Sequence, residues 1–133
     1  MSSLLKLENI YNQELYYKLV KTNIEEDIVI NPEFTREIID RGNDSFEVLL
    51  EVKIIKNQQN KIIPFEVKVS VIGQFKLNEW KKNTNYIDNA TAILYPYLRS
   101  KLAELTMNHP LPPYVLPIIN IASFFNKEIN KDK

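Results

Sequence analysis

Cysteine is absent from the 133 residues. With it go disulfides, thiolate nucleophiles, Cys-based zinc sites and iron–sulfur clusters. Glycine is almost as scarce, Gly42 and Gly73 being the only two. A phosphate-cradling loop needs several glycines close together so that the backbone can approach its ligand, so the P-loop and the dinucleotide fingerprint are both excluded. His109 is the single histidine. One histidine makes no multi-histidine metal site, and its place beside Pro110 reads as a solvated loop. Neither sign of charge is in excess: 17 Lys plus Arg stand against 17 Asp plus Glu, for a formal net charge of zero. That balance argues against a nucleic-acid partner and leaves little self-repulsion to hold copies apart. No apolar run reaches the length of a membrane span, and the opening MSSLLKLENIYN contains none of signal-peptide length. The expectation is a soluble, cytoplasmic chain without membrane insertion, metal or other cofactor.

What is present is ordinary for a globular protein, with 44% hydrophobic and 26% charged residues. The length suits a single domain over residues 1–133, and no repeat, linker or low-complexity tract divides it. The first half reads as strands. From Phe46 to Ile55, Phe46, Val48, Leu50, Val52 and Ile54 fall on one face, and Glu47, Glu51 and Lys53 on the other. Leu49 and Ile55 remain on the polar side. Phe65 to Lys76 alternates in the same way, with Gly73 on its apolar face. The polar stretch KNQQNKIIP between them predicts an antiparallel hairpin. Leu7 to Leu19 mixes polar and apolar residues and predicts a long strand bent near Asn12–Gln13. Glu33 to Arg41 predicts another strand, ended by Gly42–Asn43–Asp44, and Lys21 to Ile30 a connection long enough to cross the sheet.

The second half reads as helix. Leu94, Leu98, Leu102 and Leu105 form one amphipathic stripe, with Asp88 or Asn89 able to cap its start. Pro96 would cost little within the first turn and would kink the helix if deeper. The helix is expected to stop near Asn108, because His109 precedes a proline. LPPYVLP then predicts an extended loop. Asn120 can cap a short final helix carrying Ile121, Phe124, Phe125 and Ile129, followed by a fraying Lys-rich tail. Strands first and helices last predict an α+β fold: a four-stranded antiparallel sheet with a crossover connection, one long and one short C-terminal helix.

At this point the residues become specific. Ile93, Leu94, Tyr95, Pro96, Tyr97, Leu98 and Arg99 form an Ile-Leu-aromatic-Pro-Tyr-x-Arg run. After a proline-bearing loop, Pro117, Ile118, Ile119, Asn120 and Ile121 lead through a short spacer to Phe124–Phe125. The combination resembles the SecB family of bacterial protein-export chaperones, and Gly73–Gln74–Phe75 and Ile10–Tyr11 resemble two of that family's strands. The resemblance covers Leu7 to Asn130. It implies a chaperone that holds unfolded polypeptides and keeps preproteins export-competent, built as a homotetrameric dimer of dimers with the long helix at the inter-dimer contact. It also implies a client groove lined by the crossover connection and the final helix, here Tyr17, Ile24, Ile28, Tyr114, Leu116 and Phe124. Phe125 is assigned to the core because it shares a stripe with Ile121 and Ile129. The oligomer contacts implied are Ile10, Tyr11, Tyr95, Tyr97, Arg99 and Lys101.

A second consequence of the resemblance concerns SecA, the translocase motor, which that family docks through acidic residues on its sheet. Lys68 stands where the family has glutamate, Lys18 falls at another acidic position, and Glu14 keeps one. Replacing carboxylate by ammonium reverses the interaction with a basic partner, so weak or absent SecA binding is expected. The alternatives are a SecB-like chaperone of a toxin–antitoxin module, and an adaptor using the same groove for one folded partner. No nucleophile–base–orienter set supports an enzyme, and Glu25, Glu26 and Asp27 read as a solvated loop.

Overall fold

A computed structural model describes residues 5–20, 30–55, 63–107 and 112–125. Four strands, β1 (Lys6–Leu19), β2 (Glu33–Gly42), β3 (Ser45–Ile54) and β4 (Phe65–Lys76), form one antiparallel sheet in the order β1-β4-β3-β2. β1 and β2 lie at opposite edges, so the chain between them crosses from one edge to the other, as predicted. The crossover itself and the β3–β4 turn fall mostly outside the described residues.

β3 and β4 alternate because each has one face in the core. β1 is irregular for a physical reason. Register shifts between Leu7 and Asn9 and between Asn12 and Glu14 insert an extra residue each time. Each bulge reverses which parity faces inward: Leu7, then Ile10 and Asn12, then Leu15, Tyr17 and Leu19 lie opposite the inner residues of β4. The bend predicted near Asn12–Gln13 is the second bulge. The β2–β3 turn places Gly42, Asn43 and Asp44 at φ of 74°, 54° and 63°, the left-handed region that such residues tolerate best.

The helix α1 (Asn85–Thr106) covers the inner face. It begins earlier than the caps Asp88 or Asn89 predict, with Thr84 at the N-cap and no side-chain cap bond. Asp88 is instead buried within the first turn, facing the sheet. Pro96 lies well inside the helix, past the first turn, where it removes one intrahelical N–H. Leu94, Leu98 and Leu102 are fully buried and Leu105 partly so. At Gly73 an added Cβ would stand 3.1 Å from a Leu94 methyl and 2.6 Å from the Phe75 ring. One end of the core is closed by Trp80, in a 3₁₀ turn (Trp80–Lys82) that the alternation pattern does not reveal. Its ring stacks on Phe46 at 4.5 Å, and Phe46 stacks on Phe75 at 5.5 Å.

After α1 the described chain resumes as an extended strap, residues 112–120, and ends in α2, residues 121–125, which are helical. Asn120 caps α2 as expected: its Oδ1 accepts the Ser123 N–H at 3.0 Å. Ile129 lies outside the described residues.

Candidate functional site

Pro112, Pro113 and Pro117 keep the strap from helix. Its backbone polar groups therefore need partners outside any ladder, and α1 supplies them. The Tyr114 N–H donates to Thr106 Oγ1 at 2.8 Å, and that hydroxyl donates to Leu102 O at 2.9 Å. Arg99 Nε donates to Leu116 O at 2.7 Å, and the Tyr95 hydroxyl donates to Pro117 O at 2.7 Å. Burial pushes the Tyr95 hydroxyl above its ordinary value despite the opposing charge of Arg99, which keeps it a neutral donor. Leu116 points into the core and is fully buried, whereas Val115 is exposed and Ile118 is 85% exposed.

Two aromatic groups form here, one through the strap's own Tyr114 and one through Phe124 of α2. On the β1 side, Tyr17 stacks on Phe65 at 6.0 Å and Phe65 meets Tyr114 at 6.3 Å. Desolvation raises the Tyr114 hydroxyl. Leu15 and Leu19 share the inner face of β1 with Tyr17 and remain exposed. On the β2 side, Phe34 touches Tyr95 at 6.4 Å and meets Phe124 edge-on at 5.3 Å, and Phe124 meets Phe125 at 5.1 Å. Tyr17, Tyr114, Phe34 and Phe124 are all half-buried. Such rings offer apolar area to a further segment while keeping one edge seated.

The residues expected in a client groove therefore divide. Tyr17 and Tyr114 come together through Phe65, and Phe124 sits in the second group. Ile24 and Ile28 lie outside the described residues. Leu116 is a correction: its full burial makes it part of the floor, with no surface to offer. Phe34 was missed by sequence reasoning, although it opens the Phe34–Arg36–Ile38 alternation of the weak β2 pattern.

The residues expected at oligomer contacts divide as well. Ile10, Tyr11, Tyr97 and Lys101 line one cleft between β1 and α1, with Asn12, Val71 and Ser100. Tyr95 and Arg99 turn to the strap instead. Tyr95 is only 6% exposed, so its place on the helix commits it to the chain's own backbone.

The outer face of the sheet is laced with charge. Lys68 Nζ stands 2.7 Å from Glu14 and 3.8 Å from Glu51, and the hydrogen bond it donates to Glu14 holds the ammonium above its ordinary range. Further along, Glu47 accepts from Arg41 and from Gln74, each at 2.8 Å. Among the described residues no group of His, Cys, Asp or Glu could hold a metal ion, and no helix is long and apolar enough to cross a membrane.

Comparison with known proteins agrees with this architecture. An uncharacterised protein of Methanocaldococcus jannaschii is 29% identical over 119 residues, which are 82% of this chain and 77% of that protein. The protein-export protein SecB of Anaplasma phagocytophilum is 24% identical over 63% of this chain, a match that spans only 56% of the relative. In structure, the chain resembles a SecB-like chaperone of Mycobacterium tuberculosis solved with a ChAD peptide from the HigA1 antitoxin. The TM-score is 0.67 at 19% identity, covering 86% of this chain and 90% of that one. The sequence also matches the family described as SecB, preprotein translocase subunit SecB, over residues 5–132. A match that takes in every strand, the long helix and the strap leaves one conclusion: the chain belongs to the SecB family.

Proposed function

We propose that this chain is a cytoplasmic chaperone that holds segments of non-native polypeptide without chemistry or cofactor. The observation that carries the reading is the pair of aromatic groups with half-buried rings, one at the strap and one at α2, on a chain of the SecB family. An unfolded client exposes apolar side chains in extended backbone. Tyr17 and Tyr114 on one side, and Phe34 and Phe124 on the other, offer seats for them at modest affinity each. Ile24 and Ile28 belong to the same proposed lining. Assembly as a dimer of dimers through the cleft of Ile10, Tyr11, Tyr97 and Lys101 would repeat the seats, so that one long client engages several at once.

The outer face supports a client system other than export through SecA. By the family resemblance Lys68 stands where an acidic residue would dock the motor, and it draws Glu14 into an ion pair. That leaves less free negative charge for a basic partner. A role in a toxin–antitoxin module is the second reading, favoured by the antitoxin peptide bound to the structural relative.

Suppression of aggregation tests the proposal. Stoichiometric protein is expected to keep an unrelated, chemically denatured protein in solution during dilution. Protection of one specific folded partner with none for unrelated denatured proteins would establish an adaptor instead. Calorimetry against SecA is expected to give weak or absent binding, and a submicromolar, salt-sensitive complex would refute the charge argument.

A further inference from the structure

Arg36 occupies a position where the sheet would take an apolar residue. It lies on the inner face, opposite Leu50 of β3, between Phe34 and Ile38. Its Nη1 donates to Asp88 Oδ1 at 3.0 Å and to Thr91 Oγ1 at 3.2 Å. The two charged side chains are 8% and 10% exposed. The guanidinium carbon also stands 4.7 Å from the centroid of the Phe125 ring. One side chain of edge strand β2 thus touches the start of α1 and the last described turn, α2.

Burying an ion pair is a poor way to gain stability, because the desolvation of both ions offsets their attraction, and its best-attested use is to fix one arrangement among several. The arrangement at stake here is that of α2. A single helical turn has no stability of its own and takes its orientation from what it packs against. Phe125 is the face that packs, and the ring adjacent to it in sequence is Phe124, which meets Phe34. Lysine in place of Arg36 would keep the charge for Asp88 and lose the flat, weakly hydrated fork that lies over a ring.

We propose that Arg36 is a positioning residue: its guanidinium, anchored on Asp88 and Thr91, seats Phe125 and so sets α2 with Phe124 against Phe34 as one wall of the client groove. The role rests on the client-holding reading above. Arg36 itself touches no client.

The test uses the full chain and a reduced, alkylated small protein as the permanently unfolded probe. Arg36→Lys is expected to lower probe affinity about fivefold, the scale of one modest cation–π contact. It should also speed hydrogen exchange at the Ser123 and Phe124 amides while the β3 and β4 amides stay protected. Phe125→Leu, which keeps apolar volume and removes the ring, should weaken the probe similarly. The double variant should be no weaker than either single variant, because both remove one coupling. Unchanged affinity, additive losses, or exchange that rises equally throughout β3 and β4 would overturn the positioning role. If the wild-type chain binds no unfolded probe, the client-holding reading fails, and the exchange measurement alone then decides whether Arg36 sets α2.

Discussion

Phe124 and Phe125 are neighbours in the chain and differ in burial. Phe125 is 2% exposed, while Phe124 stays half-buried against Phe34. Phe125→Ala is therefore expected to cost about 3–5 kcal/mol. Phe124→Ala should cost clearly less in thermal melts and weaken client binding more; equal behaviour of the two would sink the assignment. This division was legible because a helix period places Phe125 with Ile121 and puts Phe124 about 100° away. Gly73 was legible only as an oddity in an apolar strand face. The structure gives its reason, since an added methyl would meet a Phe75 ring already stacked on Phe46. Gly73→Ala should destabilise by about 1–3 kcal/mol in denaturant unfolding; a neutral result would mean that the stack yields easily. Glu47 carries a pH signature. Hydrogen bonding from Arg41, and then from Gln74, holds its carboxyl below the ordinary value of 4.5. Its contribution is fully present above that value and drains as pH falls through the lower folded one. Glu47→Gln should therefore flatten the acid side of a melting-temperature profile below about pH 4.5, and a profile parallel to wild type would contradict it.

Among the elements, β3 and β4 were readable because each has one face in the core and no irregularity. β1 was not, since two bulges reverse its inward parity and hide the alternation. The start of α1 was misread because an aspartate near a helix N-terminus looks like a cap, whereas Asp88 is spent on Arg36, a partner 52 residues away. Tyr95 and Arg99, which the resemblance places at oligomer contacts, face the strap instead. Helix spacing says which residues share a face but not what covers it, and the cover here is the strap. That cover depends on single hydrogen bonds. Thr106→Val keeps the shape and leaves the Tyr114 N–H without its acceptor, which should cost about 1–3 kcal/mol. Faster exchange of the Tyr114 amide, with the sheet unaffected, is the expected observation. An unchanged Tyr114 amide would show that the strap is held mainly by Leu116.

For the molecule as a whole, the exposed Ile93 and Tyr97 lie one turn apart on α1, beside the cleft that Tyr97 and Lys101 form with β1. Light scattering should give about four times the 15.6 kDa chain mass, or two times if one contact is weak. Tyr97→Glu should lower that mass without unfolding the chain, whereas a strictly monomeric wild type would contradict the assembly. The sheet order carries a different consequence, one that concerns synthesis. β1 is made first, yet its only ladder partner among the described strands is β4, the last strand, with Lys6 opposite Lys76. On a ribosome adding about 5–20 residues per second, β1 therefore waits several seconds for that partner. Throughout that interval Leu15, Tyr17 and Leu19 are part of a nascent chain with no ladder to join, so a newborn copy presents the same kind of extended apolar segment that a finished copy is proposed to hold.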